Sequence, residues 1–494
     1  MPNSNAPRHN PLHLPKDVFK KMGYKMIDDI ADLLENINDE KVTRNSSSAT
    51  ILEIMGNSKL PENGADPEEL LKDVTRLLFN HSLFNGHPRF WGYITSSATP
   101  IGILSECLAA SVNPNVGAQI LSPVATQIEK QTIKWLADFI GYNSDCGGLL
   151  VSGGNMANFV GFITAVNFAT SKGLDKRHLT FYYARSTHTW IEKAAELFGL
   201  EKSNARSISI DINENIDLNE LKSKIETDRN AGCTPFLIIG TAGTVGTGAI
   251  DPLRKLGFIA NENDMWFHVD GAYGAPAAIL PEADDDLKSL AMADSIALDP
   301  HKWLYSPLEA GCALVKDQSA LLQTFSHNPS YYKFENTDNP ESTNYHEHGL
   351  QNSRGFRALK VWMALKQIGE NGYVQLIRDD IRLAKIMYDE IMQSENLEAF
   401  THNLSITTFR FNPVTAGSST LSEEYLNTLN ENILDSLQRQ GEVFISNVIL
   451  GGKYCLRACI VNFRTDEHDV KALPEIVTKV GMQVHEQLFA QNKK

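Results

Sequence analysis

Between residues 88 and 370, six short apolar runs alternate with stretches of helical periodicity: Leu149 to Val151, Leu179 to Tyr183, Phe236 to Gly240, Trp266 to Val269, Ser295 to Leu298 and Ala313 to Val315. Strands this short and this uniformly apolar need cover on both faces. Helices between them supply it, so the pattern predicts an α/β domain around a mostly parallel sheet. On such a sheet the functional loops gather at strand ends.

A chain of 494 residues is long enough for more than one core. Three parts are expected: an N-terminal helical segment (1–90), a large domain (91–370) and a small C-terminal α+β domain (371–494). In the first part Val18, Met22, Met26, Ile27, Ile30, Leu33 and Leu34 form an apolar stripe between charged positions. The last part pairs amphipathic helices with strand-like Ile406 to Phe411 and Val443 to Val448.

A formal net charge of −15 argues against a phosphate-backbone partner, so nucleic-acid binding is not expected. The six cysteines lack zinc-ligand spacing and are expected to be reduced packing residues with no metal. No run reaches the roughly 18 apolar residues a membrane span requires. The first residues hold no apolar core of signal-peptide length, and a cytoplasmic location is expected.

Chemistry enters with two strand ends. Asp270 closes His268-Val269-Asp270, and 32 positions later Lys302 stands in Asp299-Pro300-His301-Lys302-Trp303. A carboxylate that keeps a pyridine nitrogen protonated and an amine that forms a Schiff base are the two groups a pyridoxal phosphate site demands. Each alone has an ordinary reading as a turn residue or a solvated charge. Two further elements add weight. Ser152-Gly153-Gly154-Asn155 follows an apolar run and opens a helical pattern, where backbone N–H groups can receive a phosphate. His188 precedes another helical stretch and could stack on a cofactor ring.

Together with His87-Pro88-Arg89-Phe90-Trp91-Gly92-Tyr93, these motifs make the chain resemble the group II pyridoxal-phosphate-dependent amino-acid decarboxylases, the family of aromatic-L-amino-acid and glutamate decarboxylases. The resemblance implies a fold type I, transferase-like large domain and an intertwined homodimer. It implies Lys302 as the cofactor-bearing lysine, Asp270 as partner of the pyridine nitrogen and His188 as the ring-stacking residue. Ala272 would underlie the ring; Gly154, Asn155, Asp299 and His301 would surround the phosphate; Thr244 would supply a small polar group near the ring. Tyr331, or its neighbour Tyr332, would be the catalytic-loop proton source, and the polar segment 333–349 a lid. Gly355 departs from the family pattern, where two arginines adjoin.

For the substrate, Trp91 and Tyr93 sit where the family builds its side-chain pocket, and Ser96 is placed to meet a carboxylate. An aromatic wall suits an aromatic amino acid. Arg89 and Arg354 could instead pair with a distal carboxylate or sulfinate. Aromatic-acid decarboxylation is the first expectation and acidic or sulfinic amino acids the alternative. Aldehyde-forming relatives, an aminotransferase or an inactive scaffold are less favoured, given Tyr331 beside His188, Asp270 and Lys302.

Overall fold

The computed structural model describes residues 10–327, 342–413 and 421–491. Its larger sheet has seven strands: β1 (Gly147–Val151), β2 (Leu179–Ala184), β3 (Ala205–Ile208), β4 (Thr234–Thr241), β5 (Trp266–Asp270), β6 (Ser295–Leu298) and β7 (Gly311–Val315). They lie in the order β1-β7-β6-β5-β4-β2-β3. Five neighbours, β6 through β3, run parallel, while β7 is antiparallel to both β6 and β1. Every residue of β1, β5, β6 and β7 is buried, as strands covered on both faces require.

All six apolar runs are therefore strands. The edge strand β3 escapes the pattern because its Ala-Arg-Ser-Ile sequence is only partly covered. The C-terminal sheet is antiparallel, ordered β10-β11-β9-β8, with β8 (Leu397–Asn403), β9 (Ile406–Phe411), β10 (Ser446–Leu450) and β11 (Lys453–Cys459). Val443 to Val448 thus begins too early. Val443 and Ile445 lie in the small domain's core, ahead of the strand proper.

A helical run, Ala358–Gln393, broken at Gly369 (φ +68°), passes from the core around the large sheet to the core around the small one. The N-terminal helices Lys16–Asn36, Ser48–Met55 and Pro67–His81 have no buried residue at all. The third begins at Asp66, whose carboxylate accepts from the Glu69 N–H, followed by Pro67 in the first turn.

Candidate active site

One cavity of about 640 Å³ opens where β1, β4, β5 and β6 end, and Gly154, Asn155, His188, Asp270, Ala272, Asp299, His301 and Lys302 all border it. Five chain segments, far apart in sequence, are brought together by the parallel sheet.

After β1 the chain turns through Gly153, whose φ of +134° a side chain would oppose. Gly154 then opens the helix Gly154–Ser171; a Cβ on Gly154 would stand 2.6 Å from Asp299 Oδ2. The helix N-terminus is thus bare backbone at the cavity wall, the arrangement that receives anions.

Asp270 ends β5 with its carboxylate held on both sides: Trp190 Nε1 donates to Oδ2 at 2.8 Å and the Ala272 N–H to Oδ1 at 3.2 Å. His268, two residues earlier, is fully buried, and burial pushes its imidazole down to about 4. It remains neutral beside Asp270, its ring nitrogens 2.7 Å from Ser295 Oγ and 2.8 Å from Asn158 Oδ1.

Beyond β6, Asp299 is buried and its Oδ2 lies 3.0 Å from Lys302 Nζ. Its Oδ1 has no partner. The turn closes by the Lys302 N–H donating to Asp299 O at 2.9 Å. Burial lowers the His301 imidazole. His188 faces the same cavity, and its Nδ1 accepts from the Trp190 N–H at 3.3 Å.

Four of the expected site residues do not line this cavity. Thr244 does not border this cavity: Gly243, at φ +90°, sends it into a reverse turn where its Oγ1 meets Thr247 Oγ1 at 3.0 Å and Ala249 N at 3.1 Å. Thr241, at the end of β4, borders the cavity in its place. Trp91 is not on the wall either; it is fully buried in the small-domain core, donating from Nε1 to Thr465 Oγ1 at 3.1 Å. Tyr93 is 61% exposed at φ +53° and lies outside the cavity within this chain. Ser96 reaches it only indirectly, donating to the His301 carbonyl at 2.8 Å.

Neither candidate guanidinium is free. Arg354 is buried against Glu129 at 2.5 Å and donates to the carbonyls of Leu150 and Val116; Arg89 pairs with Asp469 at 2.9 Å. Tyr331, Tyr332 and most of segment 333–349 lie outside the described residues. Among the described residues, Asp466, His468 and Asp469 bring ligand atoms within 4.8 Å, but Asp466 and Asp469 cap each other's N–H groups and Asp469 is taken by Arg89.

The residues around the cavity fit pyridoxal phosphate: an amine for its aldehyde, a fixed carboxylate for its ring nitrogen, a bare helix N-terminus for its phosphate. An orphaned carboxylate oxygen on Asp299 also leaves room for a further donor. Fold and site together define a pyridoxal-phosphate-dependent carboxy-lyase.

Residues 52–412 match the pyridoxal-dependent decarboxylase conserved domain. The aromatic-L-amino-acid decarboxylase of Bacillus atrophaeus is 33% identical over 94% of this chain and 98% of its own length. The phenylacetaldehyde synthase of Arabidopsis thaliana is 29% identical over 94% of this chain and 96% of its own. The crystal structure of Oryza sativa TDC with PLP and tryptamine superimposes with a TM-score of 0.89 at 25% identity, covering 96% of this chain and 99% of that one. The chain belongs to the pyridoxal-dependent decarboxylase family.

Proposed function

We propose that this enzyme decarboxylates an aromatic L-amino acid to the corresponding amine and carbon dioxide. The observation that carries the choice of substrate is the commitment of both candidate arginines, Arg354 to Glu129 and Arg89 to Asp469. A distal carboxylate or sulfinate calls for a free, bidentate guanidinium. The described cavity wall offers none. It offers Met156, Phe159, Val245 and Tyr273, an apolar and aromatic surface. Lys193 is the wall's second cation and is the residue that would favour the acidic alternative.

Bound pyridoxal phosphate supplies the sink for the electron pair that departing carbon dioxide leaves behind. Lys302 would hold the cofactor through its amine and give up that position to the substrate amine. Asp270, fixed by Trp190 and Ala272, holds a proton on the ring nitrogen. His188 and Ala272, which border the cavity, would hold the two faces of the ring. Gly154, Asn155, Asp299 and His301 surround the phosphate, while Asp299 orients the Lys302 amine. Tyr331, or Tyr332, returns a proton to the substrate carbon. A tyrosine there supports amine over aldehyde formation, despite the likeness to an aldehyde synthase.

The working form is proposed to be a homodimer, with the bare N-terminal helices as its seam. All six cysteines are free, which supports a reducing, cytoplasmic setting. No helix among the described residues is long and apolar enough to cross a membrane.

The test is a panel of substrates given to the holoenzyme: tyrosine, DOPA, tryptophan, 5-hydroxytryptophan, phenylalanine, glutamate and cysteine sulfinate, with carbon dioxide, amine, aldehyde and ammonia all measured. Amine and carbon dioxide from aromatic acids are expected. Release confined to glutamate or cysteine sulfinate overturns the substrate, and aldehyde with ammonia overturns the role given to Tyr331.

A further inference from the structure

The three residues that follow Lys302 are gripped, one after another, by a single face of the helical run Ala358–Gln393. Tyr373 and Asp380 stand seven residues apart, two turns, and so share that face. Trp303 Nε1 donates to Asp380 Oδ2 at 2.8 Å, Tyr373 Oη to the Leu304 carbonyl at 3.1 Å, and Tyr305 Oη to the same Asp380 Oδ2 at 2.6 Å. All five residues are buried.

Both side-chain donors, Trp303 Nε1 and Tyr305 Oη, converge on the one Asp380 oxygen, Oδ2. A carboxylate only accepts when ionised, and its negative charge strengthens both bonds in a way a neutral amide oxygen would not. Burial pushes this carboxyl up to about 7, so the site holds the group against a desolvation cost. Tyr305 shows what the grip maintains. Its φ of +54° is a conformation that bulky residues rarely adopt unless their surroundings impose it.

The grip extends to the cavity floor. The Trp303 ring stacks on Tyr273 at 4.9 Å, next to Ala272, and Tyr273 Oη meets Ser405 Oγ of the small domain at 2.6 Å.

We propose that Asp380 is a positioning residue for decarboxylation, setting through Trp303 and Tyr305 where the Lys302 amine stands; this rests on Lys302 being the cofactor-bearing lysine. The amine must leave and rejoin one carbon atom in every turnover. A displacement of about 1 Å in such a group costs on the order of 10²-fold in rate. No residue of the grip needs to touch the substrate.

The test compares the parent holoenzyme with Tyr305→Phe, Trp303→Phe and Asp380→Asn. Each is read by kcat and KM on the best substrate of the panel, by the visible absorbance of the lysine-bound cofactor, and by borohydride reduction with peptide mapping. Asp380→Asn is expected to lower kcat roughly 30- to 100-fold and Tyr305→Phe about 5- to 10-fold, with KM within about twofold and the absorbance band altered in each. Trp303→Phe added to Asp380→Asn should cost little more, because both remove the same anchor.

Parent-like kcat and absorbance in folded Asp380→Asn overturn the proposal. Should that variant fail to fold, Tyr305→Phe decides alone: it keeps every apolar contact, and an unchanged kcat and band overturn the proposal equally. A parent adduct on another lysine brings down the assignment of Lys302 together with this proposal. An adduct on Lys302 with unaffected variants removes only the role of Asp380.

Discussion

Around the Lys302 cavity nearly every chemically important side chain is held by another, whereas from Lys16 to His81 the helices hold almost nothing. Asp270 is fixed by Trp190 and Ala272, and Asp299 lies beside Lys302. In the N-terminal helices, by contrast, Phe19 is 66% exposed, Leu52 69% and Leu70 53%. The Lys21–Glu68 ion pair joins the first helix to the third, and exposed pairs of that kind contribute little. The contrast teaches that chemistry and assembly are separable here. The cofactor-facing groups of the cavity come together within one chain, while exposed apolar side chains such as Phe19, Leu52 and Leu70 support the proposed second copy.

The sharpest way to break that separation is Lys302→Ala. It should reduce decarboxylation by about 10³-fold or more, while sedimentation shows the same assembly as the parent. A change of assembly would mean that the two regions are coupled. Asp270→Asn should lower kcat by on the order of 10²-fold with the cofactor still bound, and near-normal turnover would refute its role. From the other side, Phe19→Asp with Leu70→Asp should dissociate the proposed homodimer and lower the melting temperature by roughly 5 °C. An intact dimer in sedimentation would show that these helices are not its seam.

The same contrast explains what the sequence reveals. Lys302, Asp270, His188 and the Gly153-Gly154 turn are legible because each follows or precedes an apolar run and its chemistry is local to a short motif. Trp190 and Asp380 are not legible. Their partners, Asp270 and Tyr305, lie 80 and 75 residues away and meet them only once the chain has folded. Thr241 hides as the last residue of a strand, so Thr244, in a Gly-rich turn that advertises function, is the more visible of the two, although only Thr241 borders the cavity. Trp91 is ambiguous for a related reason. An aromatic residue in a family motif suits a pocket wall or a core equally, and only packing against the small domain decides.

Acid offers the mildest test, because groups shifted by burial sit in the central region and not in the N-terminal helices. His348 is 4% exposed, its ring edge-on to Tyr345 at 5.6 Å, and burial pushes it down to about 4. His268 is shifted the same way. A histidine whose folded value lies below 6.5 stabilises the fold fully above pH 6.5, and this contribution is lost as pH falls through 4. Asp251, raised to about 6, and Asp380, raised to about 7, act in the opposite sense: their contribution is complete below the usual 3.8 and is lost as pH rises through 6 to 7. The two sets offset each other between pH 4 and 7, so removing one histidine should expose its share. His348 Nδ1 has no hydrogen-bond partner, which makes His348→Phe a clean change of charge capacity with little change of shape. Its unfolding free energy should fall less than the parent's between pH 6.5 and 4, by about 2 kcal/mol. Denaturant titrations at both pH values measure this, and parallel losses in the two proteins would show that His348 carries none of the acid sensitivity.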